Sequence, residues 1–332
     1  MPFEAILRKY DPVGPWEIEG GLSGWNNTTR FVRSNGLRRV LRIYETHRDA
    51  AKVAFEHRLL DALGQADLSF RVPSPIPCND GSTIVRLEDG SGRLACLFDY
   101  IEGERPPESN AQAAEALGRA TGELIGALGS LRPEGLPAYH PYYELATSYP
   151  LCTEANVSAF CRNPPGPLSG LRGELQAIEA RIGGIRNGLN RFRSLPHQLI
   201  HGDINVSNAL AADGRIVAML DFEFCTRDLR AMEIAVALSG YLNEEEPLAS
   251  ADAFLSGAGE KVRLTPEEAE AIPELMLLRA LDVFLHFLNR YFDEVDGPDV
   301  IRTQTESASN SLRTWDGLRE SVRDAARRRL SD

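Results

Sequence analysis

The chain has 332 residues, 43% of them hydrophobic, which leaves room for roughly two domains and enough apolar material to build a core without disulfide staples. Its 36 Lys and Arg against 48 Asp and Glu give a formal charge of −12. That balance disfavours nucleic acid and anionic membrane as generic partners and leaves small neutral or cationic molecules. The five cysteines are scattered without a C-x-x-C pair, so neither a disulfide framework nor a cysteine zinc site is indicated, and the reduced cytoplasm is the expected compartment. The opening MPFEAILRKY has no apolar segment, and the most apolar later stretch, LMLLRALDVFLHFL, is broken by Arg279 and Asp282; the sequence reads as soluble and unexported.

In chain order, the first hundred residues are β-rich. Runs 28–34 (TTRFVRS) and 37–44 (LRRVLRIY) flank Asn35-Gly36, a strong two-residue hairpin signal, and runs 82–88 and 92–99 flank Asp89-Gly90 in the same way. Between the pairs, 49–63 reads as a helix with Asp49 as N-cap and Gly64 beyond its end. Within that helix Val53, Glu56, Leu60 and Leu63 share one face, so the Glu56 carboxylate falls in an apolar seam and requires a cationic partner. Helical periodicity follows over 110–128 and 171–193, separated by the loop NPPGPLSG (163–170). Two short β-like runs, 205–211 and 215–220, meet at Asp213-Gly214, and helices are expected near 228–242, 248–258, 266–293 and 299–328. The class is α+β: a small antiparallel sheet with one helix, then a mainly helical part carrying an embedded hairpin.

Residues 199–223, LIHGDINVSNALAADGRIVAMLDFE, contain H-G-D-x-x-x-x-N and, across a glycine turn, an apolar strand that ends in D-F-E. Phosphoryl transfer needs a carboxylate to hold and deprotonate an attacking hydroxyl, and oxygen ligands for a Mg²⁺ that bridges nucleotide phosphates. Asp203 can supply the first; Asn208 and Asp221 can supply the second. Singly, each has an ordinary role in a turn or at a strand end. At this joint spacing they point to chemistry.

The five-residue step from Asp203 to Asn208 matches the catalytic loop of protein kinases, and Asp221 falls where their D-F-G aspartate lies. Gly202 stands in place of the usual arginine, Glu223 in place of the glycine, and no A-P-E segment follows, which argues against a regulated protein kinase. In this form the motifs resemble those of the aminoglycoside phosphotransferase and choline kinase superfamily, including its homoserine kinase-like branch, over nearly the whole chain. The resemblance implies a bilobal, protein-kinase-like fold. Residues 1–97 would form the nucleotide lobe, 98–103 (FDYIEG) the hinge, and 104–332 a helical lobe with the catalytic loop and acceptor site.

The resemblance also implies that GGLSGWNNTTRFV (20–32) covers the phosphates through Ser23 and the amides around Gly24. Asp99 and Ile101 would read adenine through their backbones, with Phe98 behind the base. Arg42 occupies the position of the family's phosphate-contacting lysine and is the expected partner of Glu56. The exchange is not conservative, because a planar fork meets oxygen pairs differently from a compact ammonium. The expected activity is ATP- and Mg²⁺-dependent transfer to the hydroxyl of a small molecule such as homoserine, another amino alcohol or an amino sugar. The alternative is a nucleotide-sensing pseudokinase.

Other features carry plainer readings. His197 and His201 are four apart but lack an H-E-x-x-H glutamate, so zinc is not expected, and Gly20, Gly21 and Gly24 do not form a dinucleotide fingerprint. Glu233 either buttresses the catalytic loop or faces solvent. Glu244, Glu245 and Glu246 read as a solvated helix end, and the basic tail 323–330 as an exposed helix face.

Overall fold

A computed structural model describes residues 2–11, 13–23, 27–45, 48–137 and 139–331. The N-terminal lobe contains helix α1 (Pro2–Leu7), strands β1 (Glu17–Ser23), β2 (Asn27–Ser34) and β3 (Leu37–Tyr44), helix α2 (Ala50–Gly64), and strands β4 (Val85–Arg86) and β5 (Leu94–Asp99). The strands form one antiparallel sheet in the order β1-β2-β3-β5-β4. Asn35 (φ 50°) and Gly36 (φ 77°) are both left-handed, the combination a tight two-residue turn requires, and they set Ser34 opposite Leu37. The turn expected at Asp89-Gly90 is wider. Leu87 N–H donates to the Arg93 carbonyl, while Asp89 Oδ1 accepts from Ser91 N–H and Oδ2 from the Arg93 guanidinium, so side-chain bonds shape a loop where a two-residue turn was expected.

Alternation along β3 and β5 gives the sheet two buried faces. Leu41, Ile43, Ala95 and Leu97 pack with Ile6 and Leu7 of α1, whereas Tyr44, Cys96 and Phe98 pack in the cluster that includes Val53 and Leu60 of α2. Asp49 caps α2 by accepting from Ala51 N–H, and Glu56, on the same helix as buried Val53, Leu60 and Leu63, is 4% exposed.

The second lobe runs through α3 (Ala111–Ser130), α4 (Leu145–Ser148), α5 (Glu154–Arg162), α6 (Arg172–Gly188), β6 (His197–Ile200), β7 (Ala209–Ala212), β8 (Arg215–Met219), β9 (Thr226–Leu229), α7 (Arg230–Gly240), α8 (Pro247–Gly259), α9 (Pro266–Phe292) and α10 (Pro298–Ala326). A sheet-bearing lobe followed by a mainly helical one is the α+β arrangement expected from the sequence. Two local readings change. Residues 226–229 pair with β6, which delays the helix expected from 228 until Arg230, and 206–208 form a short 3₁₀ turn before β7.

The β7–β8 hairpin is clamped from both sides by backbone hydrogen bonds. Arg71 N–H donates to Val217 O and Met219 N–H to Arg71 O, while Glu104 and Ala211 exchange both of theirs at 3.0 and 2.7 Å. Among the described residues no helix is long and apolar enough to cross a membrane.

Candidate active site

Strand β6 delivers the chain into the H-G-D loop. His201 is fully buried: its Nδ1 accepts from Asp203 N–H at 3.2 Å, so its Nε2 donates to Leu220 O at 2.9 Å. Burial lowers its pKa and keeps the ring neutral, and it packs tilted by 56° against Phe222 with ring centroids 4.4 Å apart. The histidine is therefore a strut between the two acidic motifs. Glu233, on α7, is fully buried and accepts from His201 N–H, which makes it the buttress of the loop. Burial pushes its carboxyl up to about 8 against the backbone N–H groups of His201 and Gly202. Gly202 sits at φ +80° with the Phe224 carbonyl 2.9 Å from where a Cβ would be, so an arginine could not occupy this position unchanged.

Asp203 is held at both oxygens. Asn208 Nδ2 donates to Asp203 Oδ2 and to its carbonyl, both at 2.9 Å, and Arg279 Nη2 donates to Oδ1 at 2.7 Å. With its amide nitrogen spent this way, Asn208 turns its side-chain oxygen to other ligands. The Asn208 carbonyl accepts from Leu220 N–H at 2.8 Å, which sets Asp221 beside the asparagine at the open end of the β7–β8 hairpin. Asp221 is left-handed (φ 67°, ψ 62°), a conformation that costs an aspartate free energy and is retained at sites where it aims a side chain.

From the other lobe, Arg42 Nη1 lies 3.1 Å from Asp221 Oδ1 and 3.2 Å from Glu56 Oε1, so the cation–Glu56 pair expected from periodicity forms and extends to the second lobe. Tyr44 Oη donates to Glu56 Oε2 at 2.9 Å. Burial works against the charge on Arg42, but Asp221 and Glu56 outweigh it and raise its pKa. Burial likewise raises Glu56, against the pull of Arg42. Phe98 packs beneath this cation, with the guanidinium carbon 5.5 Å from its ring centroid. Asp99 N–H is spent on Ser74 O, and Ile101 is buried. Ser23 pairs with Thr28 through the backbone at the end of β1; its side chain and Gly24 lie outside the described residues.

The donor set suits a divalent cation: a carboxylate and an amide oxygen, both hard, at adjacent positions of one hairpin end. Asn208 and Asp221 are the oxygen donors at this end of the hairpin that could hold a divalent cation.

Sequence reasoning passed over Arg279 as a site residue. It lies on α9, 76 residues from Asp203, and also donates to Asp282 Oδ2 at 3.2 Å; its guanidinium stacks on Tyr142, whose hydroxyl donates to Gly202 O at 2.5 Å. The signal was present in the pair of opposite charges, three apart, that interrupts the apolar run of α9. Beside Asp203 a cavity of about 210 Å³ opens between α7, α9 and α10.

The chain matches the Phosphotransferase enzyme family over residues 17–272. It is 26% identical over 290 residues to a homoserine kinase of Zymomonas mobilis subsp. mobilis, covering 85% of this chain and 82% of that protein. A homoserine kinase of Rhizobium meliloti is 27% identical over 284 residues, covering 84% and 81%. Among solved structures, a microcompartment-associated aminopropanol kinase superimposes with a TM-score of 0.68 at 16% identity, covering 96% of this chain and 97% of that one. Amicoumacin kinase in complex with AMP-PNP, Ca²⁺ and Ami does so with a TM-score of 0.67 at 16% identity, covering 93% and 92%. These likenesses show the shared fold.

Proposed function

The chain belongs to the Phosphotransferase enzyme family and is a small-molecule kinase; from that premise we propose that it transfers the γ-phosphoryl group of ATP to the hydroxyl of a small amino alcohol or hydroxy amino acid, with homoserine the first candidate. One observation carries the proposal. An unbroken chain of contacts runs from Asp203 through Asn208 and the Leu220 amide to Asp221, and on through Arg42 to Glu56.

In this reading Asp203 orients the acceptor hydroxyl and takes its proton as the oxygen attacks in line, giving a phosphate monoester and ADP. Asn208 and Arg279 each hold one of its oxygens, and a carboxylate has about four acceptor positions, so the aim is fixed while room for the hydroxyl remains. Arg42 meets the phosphates as a permanently charged fork, oriented by Glu56. The divalent cation, when bound at Asn208 and Asp221, neutralises charge on the phosphate oxygens. Phe98 backs the adenine, and Asp99 meets it through its carbonyl, since its N–H is already given to Ser74. Ile101 meets it through its N–H.

A nucleotide sensor that binds without transfer is the competing reading, favoured by an arginine that already occupies one oxygen of Asp221. ADP release with Mg·ATP and a panel of amino alcohols, hydroxy amino acids and amino sugars separates the two. Asp203→Asn should lower turnover by about 10²- to 10⁴-fold with Mg·ATP affinity retained. Tight nucleotide binding with no acceptor-dependent turnover in the parent enzyme would establish the sensor.

A further inference from the structure

We infer that the acceptor carries a carboxylate and that Arg279 receives it, which makes the substrate class a short hydroxy acid or hydroxy amino acid. The inference rests on the phosphotransferase reading for the role of Asp203, and on the cavity for the rest. Among the described residues lining that cavity, Asp203 and Arg279 are the charged ones; the other polar groups are neutral, including Asn205, Ser239, Gln304 and Ser307. A polycationic amino sugar brings several ammonium groups and needs several carboxylates to replace their water. This cavity offers one, and Arg279 already sits on it at 2.7 Å.

Size is compatible with this: the cavity, about 210 Å³ and open to solvent, admits a molecule as small as homoserine.

Arg279 has the chemistry of an anchor. Its bonds to Asp203 and Asp282 use one N–H on each terminal nitrogen, two of the five donors of a guanidinium, whose fork matches a carboxylate. Its side chain is mostly buried and seated on Tyr142, so it is ordered before any ligand arrives. Because Asp203 and Arg279 touch, a carboxylate on the guanidinium lies a few ångströms from a hydroxyl on Asp203. A chain of three carbons between hydroxyl oxygen and carboxyl carbon, at about 1.5 Å per bond, spans about 5 Å. Arg279 is thus a specificity-determining residue: it selects for the acid while Asp203 serves the alcohol.

Calorimetric titration of the full chain with three probes tests this without turnover: L-homoserine, 4-hydroxybutyrate, which lacks the amine, and 3-amino-1-propanol, which is homoserine without its carboxylate. Both carboxylates should bind about tenfold or more tighter than the amino alcohol, and Arg279→Gln should shrink that gap to about twofold. The anchor is overturned if the amino alcohol binds as well as the acids, if neither acid binds saturably, or if the gap survives in Arg279→Gln. Should that variant not fold, the ranking in the parent protein decides alone. Binding in the expected order without acceptor-dependent ADP release would retain the anchor and sink the phosphotransferase reading instead.

Discussion

Arg42 joins two carboxylates from different lobes, and its substitution separates the charge it carries from the shape that carries it. Removing the cation leaves Glu56 and Asp221 facing each other at a buried site, and stripping one partner from a buried ion pair costs about 3–5 kcal/mol. Arg42→Met should therefore lower the melting temperature and cut kcat/KM by about 10²- to 10³-fold, the loss expected when one preorganised donor to a phosphoryl group is removed. Arg42→Lys restores the charge on a compact head, which can meet both carboxylates through one nitrogen as Nη1 does but lacks the planar fork. Steady-state kinetics with Mg·ATP should find the lysine variant far closer to the parent than the methionine variant. Equal loss in both would mean that the planar fork, and not the charge, is what the site uses.

Glycines on the helices make opposite demands, and two on one helix form a controlled comparison. Helices α3 and α8 pack backbone to backbone: a Cβ on Gly257 would fall 2.0 Å from the Glu115 carbonyl, and one on Gly118 2.0 Å from the Phe254 carbonyl. Gly257→Ala must push the helices apart and should cost about 1–3 kcal/mol in urea unfolding. Gly126, on the same α3 with nothing within 4 Å of its Cβ position, should gain about 0.5–1 kcal/mol on change to alanine, because only its backbone entropy matters.

The same elements show what sequence can carry. The hairpins at Asn35-Gly36 and Asp213-Gly214 were legible because two adjacent left-handed residues are a local requirement met by local chemistry. Glu56 was legible because a carboxylate in an apolar stripe demands a partner. The β6–β9 pair was not, since four-residue strands separated by the whole H-G-D loop and the β7–β8 hairpin find each other through burial, not through any pattern of their own. Short helices α4 and α5 were missed for the same want of periodicity. Arg279 reached the site through the packing of α9, and only its odd charge in an apolar run betrayed it.

For the molecule as a whole, the formal charge of −12 counts every carboxyl as ionised, and folding prevents that. Burial pushes Glu233 up to about 8 and Asp228 up to about 7, so near neutrality the folded chain binds protons that the unfolded chain, with ordinary carboxylates, does not. Where the unfolded state binds fewer protons, stability falls as pH rises; the stabilisation is whole below the ordinary carboxyl range and is lost as pH climbs through the folded values. Buried His57 and His286, pushed down to about 4 by desolvation, act with the opposite sign, weakening the fold as pH drops below their ordinary value of 6.5. Above pH 7 these imidazoles are largely neutral in both states, which leaves the carboxyls in control. Unfolding free energy should therefore decline between pH 7 and 8, by up to about 1.4 kcal/mol per pH unit for each proton released. Glu233→Gln keeps an oxygen for the His201 N–H but has no proton to lose, so urea titrations of this variant across that interval should give a shallower decline. An unchanged slope would assign the released proton to another group and return Glu233 to the ionised state.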